Sequence, residues 1–408
     1  MTETTLIANP PVAVARGVAE RLLHLPDLAV VDIVVATIVG NGISGDPLWV
    51  LTVSPPSNGK TELLAAAAAI PQTQLLSTLT KNTLISGARV RCGDDGQEVE
   101  PSLLVRLKKH TLIIKDFTTI LGLQRDERNQ ILGLLREVYD GKVVKVFGTG
   151  KTFVWEGKMG LLGAVTPVID RHGALTSILG ERFLLYRIPG GDRDSRRAQA
   201  ALALAASGHE TRLRAELGSA MKTAAQDAGA WAKAHGAEVR LPTAFVDTLI
   251  TLADLAAYGR AGVLRDGYDR EVRYLPESEG PSRLAKQLRQ LTGALLAVRG
   301  KCQPDEEELR VLRKVARDTM QPLRARTLAA LAEKGPMQTA DVAKAMGVPY
   351  AMSQRALDDC QLLGLVRKRE DVYELLLSRL ADIQSSGIFH GYEYRNVPPE
   401  GEREREEE

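Results

Sequence analysis

The stretch Ser54-Pro55-Pro56-Ser57-Asn58-Gly59-Lys60-Thr61 decides the fold of this chain. It matches the phosphate-binding pattern G-x-x-x-x-G-K-[ST], with serine in place of the first glycine. A β-prone run, Trp49–Val53, precedes it, and a helix-favouring segment with alanine at 65–69 follows. This order lets loop N–H groups and a helix N-terminus surround phosphate. We therefore expect all eight residues to contact ATP, with Lys60 on the β- and γ-phosphates and Thr61 on Mg²⁺. The alternative is a polar turn before an ordinary helix.

A second stretch, Gly148-Thr149-Gly150-Lys151-Thr152, imitates the core of a nucleotide loop. Its flanks at 142–147 and 152–155 are β-branched and aromatic, and no helix-favouring segment follows the lysine. Two β-prone runs joined by a short glycine-containing turn predict a β-hairpin. Lys151 is then expected near the tip of a projecting hairpin, and ATP is assigned to Lys60.

Composition sets broad limits. The 408 residues suggest two or three domains, and 44% hydrophobic and 25% charged residues indicate a folded protein. The net charge of +2 indicates nothing about nucleic acid. Three widely separated cysteines predict neither a disulfide framework nor a metal site, which favours the cytoplasm. No apolar run approaches the ~20 residues that span a bilayer, so no membrane partner is expected.

Apolar β-prone runs alternate with helical segments between 46 and 190, which predicts a mostly parallel sheet. We expect 1–45 to form an N-terminal helical segment, 191–320 a helical lid, and 321–380 a further unit. The Glu/Arg-rich end suggests that 381–408 is a disordered tail. The candidate strands are 49–53, 73–79, 111–115, 142–147, 152–156, 160–165 and 183–188.

Asp116 ends the apolar run that begins at Thr111, which fits the acidic element that holds the Mg²⁺ shell in a P-loop ATPase. The alternative is a buried strand that ends in a surface aspartate. Many such ATPases place a glutamate next, as the base that polarises the attacking water, but Phe117 occupies that position here. Either another carboxylate takes this role, with Glu127 and Glu137 nearest in sequence, or hydrolysis is slow.

In order and spacing these elements resemble the AAA+ ATPases. The hairpin at 142–156 before the strand that ends in Ala164-Val165-Thr166-Pro167 is similar to the branch of minichromosome maintenance (MCM) and superfamily III helicases. Leu179-Gly180-Glu181-Arg182-Phe183 and the helix beginning at Pro281 extend the resemblance to roughly 48–378. It implies an α/β fold, namely a P-loop AAA+ three-layer α/β/α core with a helical lid and a C-terminal winged helix-turn-helix.

The resemblance also implies roles. Thr166 would be sensor 1, Arg283 sensor 2, and Arg182 the arginine finger acting on a neighbouring subunit, with Arg187 as the alternative. Such a finger implies a homo-oligomer, expected to be a hexameric ring. Ser54, Phe117 and the absence of a large N-terminal domain depart from MCM proteins. We therefore expect a compact relative of the kind carried by phages, plasmids or integrated elements.

Residues 323–376 predict a winged helix: three helical segments, with a tight turn at Gly347-Val348-Pro349, and then a strand, a charged turn and a strand. The third helix would face the major groove of DNA. A winged helix used for protein docking is the alternative. The expected DNA contacts are Ser353, Gln354 and Arg355 on that helix and Lys368 and Arg369 on the wing.

The hairpin offers a second DNA contact. If it projects into a ring channel, Lys151 near its tip and Lys142 and Lys145 on its flank would follow a phosphate backbone without recognising sequence. The alternative is an exposed hairpin with lysines for solubility. Two hypotheses for the protein follow: an ATP-driven DNA helicase or remodeller, or an ATP-gated initiator or switch without unwinding activity, which Phe117 favours.

Overall fold

The structure is a computed structural model that describes residues 10–56, 59–88, 90–92, 97–99, 101–148, 150–172, 182–266, 271–272 and 276–395. Within these ranges the strands are β1 (Trp49–Val53), β2 (Thr73–Leu76), β3 (Val90–Cys92), β4 (Gln97–Val99), β5 (Thr111–Ile114), β6 (Lys142–Val146), β7 (Thr152–Glu156), β8 (Gly160–Val165), β9 (Leu184–Arg187), β10 (Met337–Gln338), β11 (Val366–Arg369) and β12 (Val372–Leu375). The helices of the first half are Ala13–Leu23, Ala29–Gly42, Lys60–Ala67, Lys81–Leu84, Leu103–Arg106, Thr118–Leu121 and Arg125–Tyr139. Those of the second half are Arg193–Ala205, Glu210–His235, Thr243–Arg260, Ser282–Arg299, Glu306–Thr319, Pro322–Lys334, Thr339–Met346, Tyr350–Leu362 and Leu377–Ser386.

A five-stranded sheet, ordered β2-β5-β8-β1-β9, forms the centre, and its paired neighbours run parallel. Side chains of a strand alternate between the two faces, so Val50 contacts one apolar cluster while Trp49 and Leu51 contact another. The same alternation occurs in β5 and β8. Helices cover both faces, which confirms the predicted α/β fold with a mostly parallel sheet and is compatible with a three-layer core.

The larger apolar cluster extends well beyond the sheet. It joins one sheet face to the N-terminal helices, to the helices between 210 and 319, and to the C-terminal unit. Helix Ala29–Gly42 is buried along almost its whole length and packs against Ser282–Arg299. The segments predicted as separate domains thus share one core.

Among the described residues no single helix is long and apolar enough to cross a membrane. The segments Glu210–Glu238 and Thr243–Arg260 together reach that length and apolar composition, but a bend of 117° separates them.

A buried ion network fastens this core. Arg299 donates to Asp32 at 2.6 and 2.9 Å and to Glu308 at 2.6 Å, and the three side chains are almost fully buried. Arg16 of the first helix also pairs with Asp32. The network therefore connects the first two helices with two helices of the second half, since Asp32 and Arg299 are 267 positions apart. Nearby, Lys301 Nζ lies 2.9, 3.0 and 3.2 Å from oxygens of Asp305, Glu307 and Glu308 and compensates this acidic cluster.

The predicted hairpin is confirmed. Strands β6 and β7 pair antiparallel in a sheet of their own, and Phe147 N donates to Lys151 O at 2.9 Å across the turn. Gly150 takes φ +78°, a conformation that favours glycine. Val143, Phe153 and Trp155 face the second apolar cluster, whereas Val144, Val146 and Val154 are exposed. The pair β3 and β4 was not predicted.

The C-terminal unit contains Pro322–Lys334, Thr339–Met346 and Tyr350–Leu362 with the antiparallel sheet β10-β12-β11. The predicted tail begins too early. Helix Leu377–Ser386 packs on Thr243–Arg260, and Ile383, Ile388 and Tyr394 are buried, because this stretch supplies apolar side chains to the common core. The rest of the predicted tail, 396–408, lies outside the described residues.

Candidate nucleotide and nucleic-acid sites

The carboxyl ends of three neighbouring strands bring the predicted nucleotide residues together. Strand β8 lies between β1 and β5. All three strands run parallel, so their carboxyl ends lie at one edge of the sheet. This edge carries the loop after β1 that leads to Lys60, Thr166 after β8 and Asp116 after β5. Open α/β sheets bind ligands at this edge.

The loop after β1 continues the sheet before it turns. Ser54 is buried, and its N–H donates to Val165 O at 3.2 Å. Ser54 is not among the residues with positive φ, so serine fits without strain where the pattern has glycine. Gly59 does adopt φ +72°, immediately before helix Lys60–Ala67. Pro55 and Pro56 precede the expected contacts Ser57 and Asn58, which lie outside the described residues.

Lys60 is anchored at the start of its helix. Its Nζ donates to Ser54 O at 2.8 Å and to Pro55 O at 3.0 Å, and the residue is 7% exposed. Burial lowers the pKa of Lys60, and the charge of Asp116 opposes this shift. Lys60 and Asp116, 56 positions apart in sequence, are therefore electrostatic neighbours. Thr61 is exposed beside them.

Asp116 and Thr166 are linked through a residue that the sequence did not single out. Asp116 is exposed, and its Oδ1 accepts from Thr118 N at 2.9 Å. Thr118 Oγ1 accepts from Thr166 N at 3.2 Å, so Thr118 connects the two strand ends. The side chain of Phe117 points into the core. It is 1% exposed, and its ring centroid lies 5.4 Å from that of Phe183.

A cavity of about 500 Å³ adjoins this edge. Gly59, Lys60, Thr61 and Glu62 line one part, and apolar residues of three helices line much of the remainder. The helices are Ala13–Leu23, Arg193–Ala205 and Glu210–His235. The cavity combines a polar region that suits phosphate with an apolar region that suits a flat organic group.

Arg214 is the functional candidate that sequence reasoning missed. It lines the same cavity, and its Nε and Nη2 donate to the two Glu62 oxygens at 2.8 and 3.0 Å. The partners are 152 positions apart, so no local pattern indicates the contact. Arg214 thus brings a guanidinium from helix Glu210–His235 next to the loop helix.

Arg182 and Arg283 lie at the opposite, amino edge of the sheet. Arg182 precedes β9, is 5% exposed, and donates to Asp140 from Nη2 at 2.7 and 2.8 Å and from Nε at 3.3 Å. Arg283 pairs with Glu279 and lines, with Asp140, a cavity of about 440 Å³. The alternative finger, Arg187, ends β9 and donates to Asp170 at 2.7 and 2.9 Å. Arg182 and Arg283 are therefore separated from the Lys60 loop of their own chain, and their roles stay predictions.

The hairpin lysines differ in surroundings. Lys142 pairs with Glu156 at 2.7 Å on the exposed face. Lys145 lies over the ring of Phe147, 5.3 Å from its centroid. Lys151 donates to Ala88 O at 3.4 Å. Lys142 is thus neutralised by a carboxylate while Lys145 lies over an aromatic ring, so the three ammonium groups do not make one uniform surface.

The predicted contacts on the third helix of the C-terminal unit need one correction. Ser353 is fully buried and its Oγ donates to Thr339 O at 3.3 Å, because its position faces the preceding helix. Gln354 Nε2 donates to Asp358 Oδ1 at 2.7 Å and to Tyr373 Oη at 2.9 Å. The outer face instead presents Tyr350, Met352 and Arg355.

The two wing residues are also partnered. Arg369 pairs with Glu374 at 3.0 Å, and Lys368 lies over the ring of Tyr373 at 5.4 Å from its centroid. Residues 337–376 contain five basic and six acidic side chains, so this unit is not basic as a whole. Both the DNA-binding and the protein-docking interpretations therefore stay open.

No protein-family model and no curated protein matches the chain.

Proposed function

We propose that this protein is an ATP-dependent DNA-binding ATPase of the AAA+ type, in the MCM and superfamily III-like branch, and that it acts as a helicase or DNA remodeller in an oligomeric ring. One observation carries the proposal: Lys60, Asp116 and Thr166 open on one sheet edge beside a cavity of about 500 Å³. A hydrolase for a charged, base-containing substrate needs this combination of cation, carboxylate and apolar wall.

The available side chains suit a nucleotide with Mg²⁺. Lys60 Nζ is held only by backbone carbonyls among its described hydrogen bonds, so a phosphate can compete for it without separating an ion pair. Thr61 and Asp116 offer the hydroxyl and carboxylate oxygens that Mg²⁺ prefers. The ion would neutralise phosphate charge, and these two residues would hold it. The apolar part of the cavity would exclude water from the base.

The position of Arg182 and Arg283 supports action across a subunit interface. A residue that contacts the nucleotide of a neighbouring subunit should lie away from the nucleotide loop of its own chain. Arg182 and Arg283 lie at the amino edge of the sheet, opposite the Lys60 loop. In the single chain, Arg182 forms an ion pair with Asp140, and Arg283 forms one with Glu279. Transfer to a phosphate would require these pairs to open.

The proposal is tested by ATP binding and hydrolysis, measured with and without single-stranded DNA. We expect the wild-type chain to bind ATP with Mg²⁺ and to hydrolyse it faster with DNA, and Lys60→Ala to lose both activities. Thr119→Ala is a matched control, because Thr119 is exposed near Asp116 and its Oγ1 only donates to Asp116 O. Equal turnover by wild type and Lys60→Ala would refute the proposal.

A second candidate function is an ATP-gated DNA-binding switch. Phe117 favours it, since a buried aromatic ring takes the place of the expected catalytic carboxylate. Of the alternatives, Glu137 lines a different cavity, beside Lys145, while Glu127 is exposed near the start of helix Arg125–Tyr139. Strand displacement on a forked duplex separates the two functions: unwinding supports the motor, and ATP-dependent DNA binding without unwinding supports the switch.

A further inference from the structure

An open cleft of about 360 Å³ lies between strand β6 of the hairpin and helix Arg125–Tyr139. Lys81, from the short helix Lys81–Leu84, enters it from the third side. Strand β6 pairs only with β7 within the described sheets, so its other edge faces this cleft. Three elements thus enclose a groove that is distinct from the nucleotide cavity.

Two cations and one carboxylate are the charged residues that line the groove, namely Lys81, Lys145 and Glu137. Lys81 Nζ donates to Gln130 Oε1 at 2.8 Å, an uncharged partner. Burial, and next the charge of Lys81, lower the pKa of Lys145, while Glu137 opposes the shift. In the described part of the chain neither ammonium forms an ion pair with a carboxylate within 4.0 Å. The fold therefore holds two like charges close together in a groove that Glu137 lines as the one carboxylate, so one positive charge stays uncompensated.

Lys142 on the same strand gives the contrast. It points to the exposed face of the hairpin, where Glu156 neutralises it at 2.7 Å. Positive charge is therefore concentrated in the groove and cancelled on the outer face. An anion placed between Lys81 and Lys145 would relieve their repulsion, and the amide of Gln130 adds a further polar contact.

We propose that this groove binds a phosphodiester group of the DNA backbone between Lys81 and Lys145. The inference rests on the proposed function and deepens it, since it places a DNA contact on the flank of the hairpin, with a residue outside the hairpin, rather than at the tip. Glu137 at the rim weakens this contact by repulsion, so the groove holds phosphate reversibly.

The test is the affinity of the full chain for a fluorescent single-stranded oligonucleotide, measured by anisotropy over a range of salt concentrations. Lys81→Ala with Lys145→Ala should weaken binding and reduce the slope of log K against log salt by about 0.7, the contribution of one neutralised phosphate on a single strand. Glu137→Gln should tighten binding. Lys222→Ala, which removes an exposed lysine of helix Glu210–His235 that does not line the groove, should behave like the wild type.

The outcomes separate the groove from the proposed function. Wild-type DNA binding that the double variant leaves unchanged, or a loss in Lys222→Ala equal to that in the double variant, would overturn the groove and leave the DNA-binding function standing. A wild-type chain that binds no DNA would overturn both. Inorganic phosphate at millimolar concentration and constant ionic strength serves as a competitor: it should weaken oligonucleotide binding more in the wild type than in the double variant, and equal weakening in both would contradict the proposal. The gain of affinity in Glu137→Gln tests the proposal even where the double variant folds poorly.

Discussion

Two basic side chains, Lys60 and Arg214, line the same cavity, but only one is evident from the sequence. Lys60 follows a local pattern of strand, loop and helix, and local patterns survive in a single sequence. Arg214 gains its position from the packing of helix Glu210–His235 on helix Lys60–Ala67, which no local pattern encodes. Ser353 illustrates the same limit, since the burial of one helix face depends on the neighbouring helix.

Arg214 should contribute directly to nucleotide affinity. We expect Arg214→Ala to weaken ATP binding by at least about tenfold, because a charge-assisted hydrogen bond to phosphate is worth about 1.5–3 kcal/mol and Glu62 would be left unpaired beside the phosphates. Titration calorimetry with a non-hydrolysable ATP analogue measures the effect.

Arg21→Ala is the matched control for Arg214. Arg21 of helix Ala13–Leu23 forms a comparable exposed pair with Glu216, which lies on the same helix as Arg214, but Arg21 does not line the cavity. Its loss should leave the dissociation constant within about twofold, as expected for an exposed pair worth 0–1 kcal/mol. Equal losses in both variants would show that only general stability, and not phosphate contact, had changed.

At the scale of elements, the hairpin was predictable because β6 and β7 carry a period-two pattern around a glycine turn. The surroundings of its lysines were not predictable. The period-two pattern shows which face of the hairpin each residue occupies, but it does not show which helix packs beside that face. The segment 381–395 shows the opposite error. Its charged neighbours suggested disorder, but Ile383, Ile388 and Tyr394 reach a core made elsewhere in the chain.

The ion network between helices should be a principal determinant of stability. Asp32→Ala would leave Arg299 buried without one of its two nearest carboxylates, which are Asp32 and Glu308 at 2.6 Å, with Glu307 farther away at 3.6 Å. Removing one partner of a buried pair costs about 3–5 kcal/mol, and we expect a loss of this size in the free energy of unfolding from urea titration. A loss below about 1 kcal/mol would contradict the role assigned to the network.

Glu307 provides the comparison, because its side chain is 41% exposed in the same network. Burial opposes its ionisation, but Arg299 and Lys301 outweigh burial and lower the pKa of Glu307 below its ordinary value of 4.5. Its contribution is thus complete above pH 4.5 and disappears as the pH falls through the lowered pKa. Glu307→Gln should cost less than Asp32→Ala, and the difference from wild type should shrink in acid.

At the scale of the whole molecule, the alternation of strands and helices predicted a parallel sheet, but the order β2-β5-β8-β1-β9 depends on long-range pairing. In that order β1 pairs in parallel with β9, so the Lys60 loop after β1 and Arg182 before β9 lie at the carboxyl and amino edges of the sheet. A site completed between two chains would use both edges at once.

Mixing two inactive variants tests this arrangement. Lys60→Ala and Arg182→Ala should each lack ATP hydrolysis alone, and their mixture should recover part of the wild-type rate. Recovery is expected because a Lys60→Ala subunit can still supply Arg182 to the intact nucleotide loop of its neighbour. Absence of recovery, in mixtures that crosslinking shows to contain both variants, would argue against action across an interface.

The shared apolar core has a consequence for how such a protein can evolve. Arg324 of the C-terminal unit donates to Gly259 O at 3.3 Å, and Arg379 pairs with Asp254, so the contacts of this unit reach deep into the helical part. A domain that is exchanged freely between genes makes all the contacts that it needs within itself. Here a transplanted C-terminal unit would lose the contacts that it makes with the helical part. Ancestors of this chain are therefore expected to have altered the C-terminal unit by point substitution rather than by exchange of the whole unit.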